Sequence, residues 1–363
     1  MGKVKEPALS IYTSAGWVNY PAFFDLAEHR KVWLFVLLGP RQVGKTYGIN
    51  WEMLSRGLNF IYLRRTDKEF KTICASDKLN PFNKYKAWGL DIGIAKSGPV
   101  SYSIGEYETT EKGKVIVTHE RGVGLTLANI ASIRGFDGAA FTDIVFDEFI
   151  PEKIVIHRKA EGDAMLNAYT TINGNRELEG KPPLRLWLLA NAFDITNPIL
   201  DAFGLVPLLE KLMRTGKEYT VTDTGICLAY FKSKQVIDKR RETALMRHLA
   251  TSSSGGAQEF LDMALNNEFA YDNLELVKPK DLRGWIPHLK MAGLYMYRRG
   301  MKELYLCRSP FNVPVDEYGQ NPTEKTRLNT EHIEVYSYYN LGRLTFDSVQ
   351  TMVIFRKFME LDA

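Results

Sequence analysis

The sequence predicts an α/β fold built around a phosphate-binding loop, and three observations carry that expectation. Gly39-Pro40-Arg41-Gln42-Val43-Gly44-Lys45-Thr46 fits the pattern G-x-x-x-x-G-K-[ST] at every fixed position. The apolar run Val32–Leu38 before it has the composition of a fully buried strand, and Tyr47–Leu54 after it that of a helix, so the loop joins a strand to a helix. Further on, Asp143-Ile144-Val145-Phe146-Asp147-Glu148 is a second buried strand that delivers two acids to its C-terminal end.

These residue types suit one chemistry. Glycines let backbone amides turn inward on phosphate oxygens, and the following helix adds the positive end of its dipole. Gly39, Pro40, Arg41, Gln42, Val43, Gly44, Lys45 and Thr46 are therefore the expected ATP cradle, with Lys45 on the β and γ phosphates and Thr46 on Mg²⁺. In such a site Asp147 binds Mg²⁺ through water and Glu148 polarises the attacking water. An Asp-Glu pair after apolar residues is a weak motif alone; downstream of a complete phosphate loop it becomes specific.

Composition sets the frame. A chain of 363 residues has room for two or three domains at roughly 100–200 residues each. With 45% hydrophobic and 25% charged residues it has the balance of a soluble globular protein. Its longest apolar runs, Val32–Leu38 and Leu184–Ala190, fall far short of the roughly 18 residues of a membrane span. No apolar signal core follows Met1-Gly2-Lys3-Val4-Lys5, so an intracellular protein without membrane partners is expected. Cys74, Cys227 and Cys307 form no C-x-x-C pair and suggest neither a disulfide framework nor a zinc site. The net charge of +4 is too mild to argue for nucleic acid by itself.

In chain order, Trp17, Tyr20, Phe23 and Phe24 precede the first strand, either near a base or covering a sheet edge. Phe60–Leu63 is a strand ending in Arg64-Arg65, followed by a short helix from Thr66. Leu90–Thr126 alternates between glycine breaks, as antiparallel hairpins do. After the acid strand, Lys159–Ile172 is a helix with Met165, Leu166, Tyr169 and Ile172 on one face. Leu184–Ala190 is a buried strand that ends in Asn191, which is either a γ-phosphate sensor or a plain strand-end residue.

An extra strand between the loop strand and the acid strand marks the P-loop ATPases with a catalytic glutamate. Ile226–Phe231 closes the first domain. Lys232–Arg241, Arg247 and His248 are basic, fitting a solvated helix face or phosphate contacts to DNA. A Ser/Gly break at Ser252–Gly256 separates this helix from another at Ala257–Leu265. Met291–Arg298 and Glu303–Cys307 are expected as a hairpin, Glu334–Tyr339 as a strand and Ser348–Leu361 as a closing helix.

With these stretches in view, the chain resembles the DNA-encapsidation ATPases of small tailed phages whose genomes are copied by protein priming. Gly39–Thr46, Phe60–Arg65, Ile144–Ile150, Asn175-Arg176-Glu177, Asn191-Ala192 with Asn197-Pro198, and Gly342–Asp347 carry the resemblance in order along most of the chain. Ile133-Arg134-Gly135-Phe136 also looks like the Arg-Gly segment of large terminases.

The resemblance implies a homo-oligomeric ring, a pentamer, working from the host cytoplasm at the portal vertex of a prohead. It would use ATP and Mg²⁺ to pump double-stranded DNA, with the portal (connector) and a packaging RNA as partners. It implies an ATPase domain at 1–231, a small helical linker at 232–270 and an α+β RNase H-like domain at 271–363 without nuclease activity. Met291–Arg298 and Glu303–Arg308 offer Glu303 and no Asp, too few carboxylates for two metals.

A ring ATPase also needs a cation supplied to a neighbour's site. Arg176 in Asn175-Arg176-Glu177 is the candidate, and otherwise a surface arginine in a loop, with Lys68 a weaker candidate and Arg41 available in cis. The competing readings are a nuclease-bearing terminase or DNA helicase of the same superfamily, and a nucleotide-switched capsid assembly factor. The Asp147-Glu148 pair argues against the last, because a switch has less need of a water-activating glutamate.

Overall fold

The computed structural model describes residues 9–76, 78–130, 138–150, 160–191, 197–252, 254–261, 274–359 and 361. The expectations at Ile133–Phe136, at Ala192 and for a helix running on past Leu261 lie outside these residues. The chain divides into two compact units: Met1–Ile154, Ala160–Phe193 and Leu212–Ala270 form one, and Val155–Lys159, Asp194–Lys211 and Tyr271–Ala363 the other.

The first unit is built on strands β1 (Leu34–Leu38), β2 (Phe60–Arg64), β3 (Ile92–Lys96), β4 (Tyr102–Thr109), β5 (Val115–Thr126), β6 (Asp143–Asp147), β7 (Arg185–Ala190), β8 (Tyr219–Val221) and β9 (Ile226–Tyr230). They form one nine-stranded sheet in the order β3-β4-β5-β2-β6-β7-β1-β9-β8. From β5 to β9 all neighbours are parallel, while β3, β4 and β8 add antiparallel edges. Every residue of β1 and of β6 is buried, as the continuous apolar runs predict for a sheet covered on both faces.

β7 lies between β1 and β6, so the glycine-rich loop, the acid pair and Asn191 all leave the sheet at one end. On one face the helices Tyr20–Arg30 and Lys45–Ser55 pack onto a core that includes Phe35, Leu37, Val145, Trp187 and Leu189. Phe35 stacks on Trp187 with ring centroids 4.0 Å apart. Tyr20, Phe23 and Phe24 belong to this core and Trp17 is exposed. The helix expected near Lys159–Ile172 spans Glu161–Asn173 and buries Met165, Ala168 and Ile172. The basic segment forms helices at Lys234–Arg241 and Ala244–Ala250, followed by Gly255–Leu261.

The second unit carries β10 (Ile286–Met291), β11 (Leu294–Arg299), β12 (Glu303–Cys307), β13 (Asp316–Tyr318) and β14 (Leu344–Phe346) in the order β13-β10-β11-β12-β14. β10, β11 and β12 form an antiparallel meander, and β13 and β14 pair parallel with β10 and β12. Val349–Met359 is helical and buries Val349, Met352, Val353, Phe355 and Phe358, the residues its periodicity singled out.

Two expectations fail in this unit. Met291 closes β10 instead of opening the hairpin, because the tight turn falls at Ala292-Gly293, both with positive φ. Glu334–Tyr339 lies in the helix Ile333–Asn340, not in a strand. Its aromatic and branched residues favour β structure, yet Val335 is buried and Tyr339, one turn on, meets the Phe355 ring at 5.2 Å, so packing at helical spacing overrides propensity.

Candidate active site

The glycine-rich turn leaves β1 where the chain is pressed against its neighbours. A Cβ on Gly39 would sit 2.8 Å from Cβ of Phe231, so only glycine fits beside the end of β9. Gln42 and Gly44 take left-handed conformations (φ 67° and 90°), and Gly44 caps the helix Lys45–Ser55 with no side chain of its own. The first amides of that helix are therefore left for an external acceptor. Buried Val43 anchors the turn, its carbonyl accepting from the Val18 amide at 3.1 Å. The Tyr20 hydroxyl donates to the Lys45 carbonyl from below at 2.7 Å.

Lys45 is 7% exposed, and its ammonium donates to the carbonyls of Gly39 (2.6 Å) and Pro40 (2.8 Å) and to Oδ1 of Asn191 (3.2 Å). Burial pushes its pKa down to about 7, against the opposing fields of Asp147 and Glu148. Thr46 Oγ1 donates to Oδ1 of Asp147 at 2.8 Å, and the Tyr62 hydroxyl donates to Oδ2 at 2.9 Å. A hydroxyl and a buried carboxylate facing each other are a fitting donor pair for a hard divalent cation such as Mg²⁺.

Glu148 also has a positive φ, 58°, a strained conformation for a residue with a side chain. Its carboxylate is half exposed and paired with Arg64, Nη1 to Oε2 at 2.9 Å, while Arg64 Nη2 lies 3.3 Å from Asp147. Arg41, Gln42, Gly44, Lys45, Thr46, Asp147, Glu148 and Asn191 thus line one open cavity, joined by Tyr47 and Lys84.

Arg176 is not brought to this cavity. It follows the helix Glu161–Asn173 and donates to the carbonyls of Ala139 (3.2 Å), Phe141 (2.8 Å) and Pro182 (3.2 Å), beside Thr142 and Arg185. Those neighbours stand at the opposite ends of β6 and β7 from Asp147 and Asn191. Lys68 is exposed on the short helix after β2.

Besides Tyr47 and Lys84, three residues that contact the site were not predicted from the sequence as part of it. Arg64 and Tyr62 reach the acids because β2 is the parallel neighbour of β6; the signal was the arginine at a strand end. Arg240, in the basic helix, donates to the Arg41 carbonyl at 3.2 Å and so touches the glycine-rich turn itself.

Known proteins share this architecture. A sequence model of the podovirus DNA encapsidation protein (Gp16) family matches residues 23–283. A DNA packaging protein of Bacillus phage B103 is 30% identical over 244 residues, which cover 65% of this chain and 64%, just under two thirds, of that relative. The bacteriophage Phi-29 viral genome packaging motor assembly contains a chain of the same fold, with a TM-score of 0.60 and 21% identity over 98% of this chain and 100% of that one. The Phi-28 gp11 DNA packaging motor matches with a TM-score of 0.56 and 16% identity over 98% of both chains.

Proposed function

The chain belongs to the podovirus DNA encapsidation protein family, and from that premise we propose that it is an ATPase motor that moves double-stranded viral DNA into a preformed capsid. The observation that carries this reading is the meeting of Lys45, Thr46, Asp147, Glu148 and Asn191 at one end of one sheet. ATP is the substrate. Lys45 exchanges the Gly39 and Pro40 carbonyls for β and γ phosphate oxygens, and the amides of the turn and of the helix start receive the rest.

Thr46 and Asp147 would hold Mg²⁺, which when bound neutralises phosphate charge. Glu148 orients the attacking water after parting from Arg64, and Asn191, already bonded to Lys45, responds to the γ phosphate. Arg176 would complete a neighbouring subunit's site, for which it must leave its three carbonyls.

The position of β7 between β1 and β6 supports placing residues 1–231 among the P-loop ATPases of the additional-strand type. Residues 232–270 serve as a helical linker, and Arg240 on the Arg41 carbonyl gives it a direct hold on the phosphate loop. Residues 271–363 are RNase H-like: a three-stranded meander whose first strand pairs parallel with the next strand supports this. Glu303 there is paired with Arg299 and Lys280, which fits a domain that grips DNA without cutting it.

The working form is a ring, a pentamer by family resemblance, at the portal of the prohead with a packaging RNA, assembled from the host cytoplasm. Its grip is sequence-independent, through phosphate contacts. A packaging reaction with proheads, genome and ATP tests the reading. Nuclease-protected DNA is expected with the wild-type chain and none with Lys45→Ala; protection that persists in that variant or without ATP would overturn it.

A further inference from the structure

At the β13 edge of the five-stranded sheet, His288, His332 and Glu334 each point one ligand atom into a common space, all within 4.8 Å of one another. Glu334 Oε1 lies 3.0 Å from Nδ1 of His332 and 3.5 Å from Nε2 of His288. Zinc bonds of about 2.0–2.1 Å at tetrahedral angles set neighbouring ligand atoms about 3.3 Å apart, so an ion can replace the Glu334–His332 hydrogen bond with only small shifts of these side chains. We propose that His288, His332 and Glu334, all partly buried, bind a single zinc ion, with water in the fourth position.

Three features of the backbone and surroundings fit a built site. The register of β10 against β11 slips between Pro287 and Leu289, which leaves His288 as the extra residue of a bulge. Bulges re-aim a side chain, and this one brings His288 to His332, the rings meeting edge to face at 5.1 Å. His332 sits at the corner between the helices Pro322–Glu331 and Ile333–Asn340, with Glu334 in the first turn of the second.

The third feature is outside the ligand set. With Nδ1 on the metal, Nε2 of His332 faces Asp316 of β13, whose Oδ2 is 3.9 Å away, a favourable charge behind the ring though too far for a direct hydrogen bond. Arg298, whose charge reaches His288, is exposed to solvent and screened. The ion would tie β10 to the corner between the two helices. Two imidazoles and one carboxylate suit one borderline-soft ion and not the pair of oxygen-liganded ions of two-metal phosphodiester cleavage.

The test uses the untagged, nucleotide-free full-length chain, titrated with Co²⁺ as an optical stand-in and competed with Zn²⁺. One equivalent of cobalt with the intense visible bands of tetrahedral coordination, displaced by zinc, is expected. His288→Ala and His332→Ala should abolish these bands. Circular dichroism establishes that the variants are folded, and Glu334→Gln, nearly isosteric, serves should either histidine variant fail to fold. Absence of the tetrahedral spectrum in the wild-type chain, or its persistence in the folded variants, would overturn the assignment.

Discussion

Arg64 bridges the two acids: its Nη1 is 2.9 Å from the half-exposed Glu148 carboxylate, and the same guanidinium leans on buried Asp147 at 3.3 Å. The acid pair is thus tied to an arginine on the strand beside the acid strand. Arg64→Gln should release Glu148 and raise DNA-independent ATP hydrolysis relative to the DNA-stimulated rate. It should also cost about 1.5–3 kcal/mol of stability from lost charged hydrogen bonds. Rates with and without DNA, together with urea unfolding, check both; an unchanged ratio would deny Arg64 a restraining role.

Lys45 should make the proposed ATP binding pH-dependent. With its pKa pushed down to about 7 by burial, the amine is partly neutral above neutral pH, and phosphate binding requires the ammonium. ATP should therefore be taken up with a proton, and its affinity should fall as pH rises above 7. Calorimetry in two buffers of different ionisation enthalpy measures the uptake. The folded-state pKa lies below the ordinary lysine value of 10.5, so the unfolded chain binds more protons between these pH values. This group's contribution to stability accordingly rises from pH 7 to 10.5, and Lys45→Met should flatten that slope.

The two aspartates of β6 should separate stability from chemistry. Asp143 is fully buried and accepts from Arg185 Nε (2.8 Å) and Nη2 (2.7 Å) and from Trp187 Nε1 (2.8 Å) at the far end of the strand. Asp143→Ala leaves Arg185 without its partner and should cost about 3–5 kcal/mol while the folded fraction still hydrolyses ATP. Asp147→Asn should abolish hydrolysis in a chain that remains folded. Chemical denaturation and ATPase rates on both variants distinguish the roles.

Arg176 allows a mixing test. Arg176→Ala should lose DNA-stimulated hydrolysis and about 1.5–3 kcal/mol of stability as three carbonyls lose a charged donor. Mixed with Glu148→Gln subunits, which retain Arg176, it should recover activity, because an intact site on one subunit meets an intact arginine on the next. A lowered melting temperature with no recovery would make Arg176 a structural residue alone.

The phosphate loop, the acid strand and Asn191 were legible because their signals are local: a fixed pattern, an apolar run and a polar residue at a strand end. Arg64 was visible only as the end of a strand, since its role depends on β2 lying beside β6, a pairing between segments far apart in sequence. The left-handed Glu148 backbone likewise has no glycine to announce it. β10 was hidden because Pro287 and the bulge at His288 interrupt its alternation, and the helix Ile333–Asn340 because residues that favour strands fill it. The convergence of His288 with His332 and Glu334 needs that bulge and that helix together, so cysteine spacing alone could not reveal a metal site.

An ATPase whose sites are completed by neighbouring copies and engaged by DNA should turn over fastest when assembled on DNA. Steady-state ATP hydrolysis measured against protein concentration, with and without double-stranded DNA, reads this. The rate per subunit should rise with concentration and with DNA, and vanish in Lys45→Ala and Glu148→Gln. A flat rate per subunit, indifferent to DNA, would contradict a ring motor and leave a nucleotide-switched assembly factor in its place.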